Sequence, residues 1–212
     1  MEDIILIGGG GHCKSVIDTI QGLNQFNIIG IVDLPGKIGF KIKDVEIIGT
    51  DEILETYFNR GIKKAFITLG SIGDPIHRKE LYHHAKNIGF SFPIIVDKTA
   101  IIGRNVEIEE GVFVGKGCIV NTDTQIGKHS IINTGSIIEH DCRIGKFSHV
   151  APGTTLSGGV LIGDCVHIGT NTTIIQNISV EKSAFIGAGS VVIRDIGANA
   201  KAYGNPCREV LS

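Results

Sequence analysis

The stretch Ile126-Gly127-Lys128-His129-Ser130-Ile131-Ile132-Asn133-Thr134-Gly135-Ser136-Ile137-Ile138-Glu139-His140-Asp141-Cys142-Arg143-Ile144 decides the fold of this chain. An aliphatic residue stands at 126, 132, 138 and 144, and the same register runs outward in both directions. It starts at Ile102 and passes through Ile108, Val114 and Val120. Beyond Ile144 it continues through Val150, Leu156, Ile162, Ile168, Ile174, Val180 and Ile186 to Val192, without a miss. Four residues after each aliphatic comes a small or β-branched residue, such as Ser130, Ser136, Cys142 and Thr154. A period of six fits neither a helix, with 3.6 residues per turn, nor a lone strand, with 2.0. It fits a coil with three flat faces, about eighteen residues per turn, whose neighbours stack into a column. The aliphatic points into the prism and the small residue fills the corner beside it. Residues 102–191 supply about five coils at about 4.8 Å each, and no hexad is interrupted by a long loop.

The composition agrees with a regular, packed column. The 212 residues include 29 glycines and 38 isoleucines, no Trp and one Met. Glycine follows the inward aliphatic at 103, 115, 127, 145, 163, 169 and 187, and recurs two residues further on at 111, 117, 135, 153, 159 and 189. Both sets are expected to supply bends with positive φ. Lys and Arg number 20 against 22 Asp and Glu, a formal charge of −2, which excludes an electrostatically driven nucleic-acid binder. No apolar run approaches the roughly 18 residues of a spanning helix. The start at Glu2-Asp3 lacks the basic region of a secretory leader. Five cysteines without ligand spacing suggest neither a disulfide framework nor a zinc site, so the expected setting is the reducing cytoplasm.

Residues 1–95 read differently. Ile4 to Ile7 is a buried-strand run, followed by Gly8-Gly9-Gly10-Gly11-His12 and a helical stretch through Val16, Ile17 and Ile20. Strands at 28–32, 45–48 and 65–69 alternate with helices near 50–59 and 75–87, which predicts a parallel α/β sheet of Rossmann-like type. The glycine turn stands where backbone N–H groups meet phosphate at a helix N-terminus. It lacks the third glycine of the dinucleotide fingerprint, since Cys13 or Lys14 occupies that place, so NAD is disfavoured. Asp33 ends the second strand about twenty residues on, where an acid takes ribose hydroxyls. A nucleotide or nucleotide-sugar cradle over 1–95 and a column over 96–212 are the expected domains.

The two halves together sharpen the reading. An opening Ile5-Leu6-Ile7-Gly8-Gly9-Gly10-Gly11-His12, then hexads containing Ile138-Glu139-His140-Asp141-Cys142 and Phe147-Ser148-His149-Val150-Ala151-Pro152, resembles the sialic acid O-acetyltransferase-like and UDP-4-amino-sugar N-acetyltransferase family of bacterial hexapeptide-repeat acyltransferases. The resemblance implies a left-handed parallel β-helix, a homotrimer with sites between subunits, acetyl-CoA as co-substrate and a UDP-amino-sugar acceptor. It implies no metal, no membrane insertion and a role in surface glycan biosynthesis. Where relatives carry a second acid after Asp33, this chain has Leu34.

Acetyl transfer needs a base to take the acceptor's proton, and an imidazole oriented by a carboxylate suits that role. By resemblance the catalytic histidine and its modulating acid fall on His140 and Asp141. Gly10, Gly11, His12, Asp33, Gly70 and Asn133 fall on the acceptor side, and His149, Thr170, Ala188 and Arg208 on the acetyl-CoA side. His149 and His167 are eighteen residues apart and should stack, but the chain lacks the H-x4-H pair of related zinc enzymes. Arg208 either meets a CoA phosphate or caps the column. Cys118 and Cys142 sit at inward corners as small hydrophobes rather than acyl carriers. Two further readings stand beside the N-acetyltransferase: transfer to a hydroxyl of sialic acid or another sugar, and a non-catalytic structural trimer.

Overall fold

The computed structural model describes residues 1–210. The chain divides into two units, Met1–Ser71 with Ile76–Ile95, and Ile72–Pro75 with Val96–Ser212. The segment 72–75 therefore groups with the second unit although it lies inside the first in sequence.

In the first unit β1 (Glu2–Ile7), β2 (Phe26–Val32), β3 (Lys41–Ile42), β4 (Val45–Gly49) and β5 (Lys64–Ile67) form a sheet in the order β3-β4-β2-β1-β5. All pairs are parallel except β3 with β4. Ile4, Ile5, Leu6 and Ile7 are all buried, as a central parallel strand covered on both faces requires. The helix α1 (Gly11–Leu23) buries Cys13, Val16, Ile17 and Ile20, a stripe at helical spacing. It ends at Asn24, whose φ of 53° is the left-handed cap Asn tolerates. The helix expected near 50–59 is a 3-10 turn at Asp51–Ile53 followed by α2 (Leu54–Asn59), and α3 spans Ile76–Ile88. The antiparallel β3 and a 3-10 turn at Pro35–Lys37 have no counterpart in the sequence reading.

The second unit is a left-handed parallel β-helix. Sixteen two-residue strands recur every six residues from Ile101–Ile102 to Val191–Val192, and each up to Thr173–Ile174 pairs in parallel with the strand eighteen residues on. They build three sheets. The first face runs through Ile101, Ile119, Ile137, Thr155, Thr173 and Val191, the second through Glu107, Gln125, Arg143, Leu161 and Ser179, and the third through Phe113, Ile131, His149, His167 and Phe185. Every inward aliphatic from Val114 to Val192 is buried, each contributing about 2 kcal/mol of transfer free energy. Ile102 is exposed and Ile108 half-buried, because no coil stacks beneath the first.

The corner residues do more than fill space. The hydroxyls of Thr124, Ser130, Ser136, Ser148, Thr154 and Thr172 each donate to the carbonyl fifteen residues on. These are polar rungs inside an otherwise apolar prism. The two glycine sets also separate by cause, which corrects the expectation that both serve positive φ. The set at 111, 117, 135, 153, 159 and 189 has φ near +70°. The set at 103, 115, 127, 145, 163, 169 and 187 does not; at the first six the backbone of the next coil passes too close for a side chain, and Gly187 lies under the Tyr203 ring. A Cβ on Gly169 would lie 2.4 Å from the Ala188 nitrogen. Beyond the last hexad, Lys201–Gly204 joins the third face and pairs antiparallel with Cys207–Val210. Among the described residues no helix is long and apolar enough to cross a membrane.

Candidate active site

His140 follows the inward Ile138, at the edge where the first face turns into the second. Asp141 occupies the third place after the aliphatic, where the turn demands a left-handed backbone, and its φ is 60°. Asp is among the few non-glycine residues that adopt that conformation readily. The turn thereby brings its Oδ2 to 2.8 Å from His140 Nδ1. That hydrogen bond, with the charges of Asp141 and Glu139 beside it, lifts the His140 pKa above the usual imidazole range. The imidazole is half-exposed and the carboxylate more so. Glu139 itself accepts a bond from Asn121 Nδ2 at 2.9 Å. One coil on, a Cβ at Gly158 would lie 2.6 Å from His140 Cε1, so the ring rests over bare backbone. Sequence reasoning missed Gly158, though the signal was there. It is the one glycine within the hexads that follows neither glycine register, and it stands eighteen residues after His140.

A second group gathers along the edge between the third and first faces. Asn133 Nδ2 lies 3.1 Å from His149 Nε2, while Asn133 Oδ1 accepts from the Thr134 amide at 2.8 Å. The backbone donor turns the amide so that its Nδ2, a donor, faces His149 Nε2. His149 meets His167 edge-on at 5.1 Å, and His167 stacks on Phe185 at 4.9 Å. Burial pushes the His167 pKa down. Thr170 and Ala188 are both exposed on this edge, and the Gly189 amide donates to the Thr170 carbonyl at 2.8 Å. Both side chains are small and lie over close-packed backbone. Arg208 Nη1 donates to the Cys207 carbonyl at 2.9 Å on the terminal strand. The structure thus joins His140 with Asp141, and Asn133 with His149, but sets the two pairs on different edges of one column.

Cysteine chemistry does not compete. Burial pushes the Cys142 thiol up to about 11 and raises that of Cys118, which leaves both protonated near neutrality. Among the described residues no group of three or more His, Cys, Asp or Glu side chains could hold a metal ion.

In the first unit the glycine turn joins β1 to α1. The Gly8 amide donates to Val32 O at 2.8 Å, and the Gly9 amide donates to Asp33 Oδ2 at 2.6 Å. Thr68 Oγ1 donates to the carbonyls of Ile7 and Gly8. Gly10 precedes the helix without a side-chain cap, and no acid stands in the first turn. A Cβ at Gly10 or Gly11 would meet nothing within 4 Å. His12 lies beside Gly70, whose Cβ would come within 3.4 Å of it. Burial raises the Asp33 pKa, but bonds from Leu34, Lys37 and Gly9 outweigh it and hold the carboxyl below its usual range.

Residues 3–85 match the family described as the PglD N-terminal domain, and residues 81–187 match the GMPPB C-terminal domain. Among curated proteins no significant match is found. The chain is similar to a histidine variant of perosamine N-acetyltransferase from Caulobacter crescentus, solved in complex with CoA and GDP-perosamine. The identity is 31%, the TM-score 0.94, and the match covers 100% of this chain and 98% of that one. It is also similar to the acetyltransferase domain of PglB from Neisseria gonorrhoeae in complex with acetyl coenzyme A, at 26% identity and a TM-score of 0.89, covering 99% of each chain. WeeI from Acinetobacter baumannii, at 19% identity and a TM-score of 0.73, covering 99% of this chain and 100% of that one, shares the fold. The chain belongs to the hexapeptide-repeat sugar N-acyltransferases. Within them it is an acetyl-CoA-dependent sugar N-acetyltransferase, and the reading as a silent scaffold falls.

Proposed function

We propose that the chain transfers the acetyl group of acetyl-CoA to the amino group of a nucleotide-linked 4-amino-4,6-dideoxy sugar, with His140 as general base. The observation that carries the proposal is the half-exposed His140 held by Asp141 Oδ2 at 2.8 Å. His140 accepts a proton from the acceptor amine as its nitrogen attacks the thioester carbonyl. The C–N bond forms, a backbone N–H stabilises the oxyanion, and the C–S bond breaks. His140 then returns the proton to the departing thiolate, so CoA leaves as the thiol. Transfer is direct, within a ternary complex, in keeping with the protonated buried cysteines.

Gly10, Gly11, His12 and Gly70 line the open side of the glycine turn and take the nucleotide sugar. His149, Thr170, Ala188 and Arg208 take acetyl-CoA. The sequence resemblance implies UDP as the carrier, whereas the Caulobacter crescentus relative holds GDP-perosamine, so both nucleotides belong in the test. The chain works as a homotrimer, in the service of surface glycan synthesis. Support for assembly comes from Ile101 and Ile119, exposed in a row on the first face, with Ile137 half-buried beside them. An exposed apolar row of this kind marks an interface, and side-by-side columns would bring the His140 edge of one copy against the Asn133–His149 edge of the next.

A thiol-release assay with acetyl-CoA tests the proposal against UDP- and GDP-linked amino sugars, their hydroxy counterparts and free sialic acid. Turnover is expected only with an amino-sugar nucleotide. Turnover confined to hydroxyl acceptors would establish the O-acetyltransferase reading in its place.

A further inference from the structure

Asp33 closes β2 at the point where an acid is expected to receive ribose hydroxyls, yet its carboxylate is engaged by the chain itself. Oδ2 accepts from the Gly9 amide at 2.6 Å and from the Lys37 ammonium at 2.9 Å. Oδ1 accepts from the Leu34 amide at 2.7 Å. The side chain is only 10% exposed. The three donors come from three places: the glycine turn, Leu34 next to Asp33 itself, and the 3-10 turn at Pro35–Lys37. The contact has no slack, since a Cβ on Gly9 would lie 2.8 Å from Oδ2, with Ile47 at 3.3 Å and Ile42 at 3.5 Å behind it. On the other side of the turn, Gly10 and Gly11 face open space.

We propose that Asp33 is a positioning residue that locks the Gly8–Gly11 turn to residues 34–37 from behind, and leaves the ribose and phosphates to other groups. The proposal rests on the reading that the first unit holds a nucleotide sugar, and it changes what Asp33 does there. A turn tied down before the ligand arrives loses less conformational entropy on binding. It also explains why the acid is Asp. A Glu carries its carboxylate one methylene further and cannot meet the Gly9 and Leu34 amides together without moving the turn. A ribose reader tolerates either acid.

The test compares the wild-type chain with Asp33→Asn and Asp33→Glu, using the nucleotide sugar that supports turnover and its counterparts lacking the 2′ or 3′ hydroxyl. Both variants are expected to raise KM for the nucleotide sugar at least tenfold, by the same factor for parent and deoxy substrates, with KM for acetyl-CoA unchanged. A penalty that vanishes with a deoxy substrate, or full rescue by Glu, would overturn the proposal. Amide hydrogen exchange at Gly9 in the ligand-free protein gives a second reading that needs no substrate. The wild-type amide is expected to be protected and both variants to exchange at least tenfold faster. An unprotected wild-type Gly9 amide overturns the proposal even if neither variant folds. Should the wild type bind no nucleotide sugar, the substrate reading fails separately while the exchange result still decides the role of Asp33.

Discussion

At Asp141 one residue answers two demands. The hexad turn needs a left-handed backbone at that place, and His140, the proposed base, is held by a carboxylate beside Nδ1; Asp meets both. Because Asp141 raises the His140 pKa, the free base is available only above a pH higher than that of an ordinary imidazole. The acid limb of kcat/KM therefore lies on the high side. Asp141→Asn is expected to move that limb to lower pH while lowering the plateau, on the order of tenfold, as the ring loses its orientation and basicity. His140→Ala should cost about 10²- to 10⁴-fold in turnover, with acetyl-CoA binding unchanged by calorimetry. Near-full activity in that variant would remove His140 from the mechanism. Gly158 acts on the same ring. Gly158→Val puts a side chain where the His140 imidazole lies, and the imidazole, being the far end of a flexible side chain, yields first. Turnover should fall about 10²-fold through misplacement of the base, with the thermal midpoint close to that of the wild type.

At the scale of the element, the column is held by two kinds of glycine. Gly135 sits at φ +69° with nothing within 4 Å of a Cβ, so its role is conformational. Gly169 has ordinary φ but a Cβ there would strike the Ala188 amide at 2.4 Å. Gly135→Ala is expected to cost about 1–2 kcal/mol, the strain of a left-handed alanine. Gly169→Ala should cost about 3 kcal/mol or more, because the coils must separate to accept it. Urea midpoints for the two variants measure the difference. Equal losses would show that coil contact and backbone conformation cannot be separated in this way. The register itself was plain in the sequence, since a buried aliphatic every sixth residue has no other home. The rungs from corner hydroxyls to the carbonyl fifteen residues on were not, because a hydrogen bond across coils leaves no trace in local spacing.

At the scale of the whole molecule, the two side-chain groups proposed for the chemistry stand apart. His140 with Asp141 lies on one edge of the column, and Asn133 with His149 on another. Ile119, exposed on the first face between them, is expected to lie within the interface between copies. Ile119→Arg should therefore yield a smaller species by sedimentation, and activity should fall together with assembly. A variant that stays fully active as a monomer would show that one column suffices.

The sequence by itself determined the column, its register, the strand-helix alternation before it, and the pairing of His140 with an adjacent acid. Each of these is written in near neighbours or in a fixed period, and burial of apolar surface enforces it. Only the tertiary structure decided which groups on successive coils come into close contact: Gly158 beneath His140, and Gly169 against Ala188. It also decided which partners a polar group meets across the chain, Asn133 with His149 and Asp33 with Gly9. Those depend on how coils and loops close on one another, and a hydrogen bond is set by the atoms that arrive within 3 Å rather than by their order in the chain.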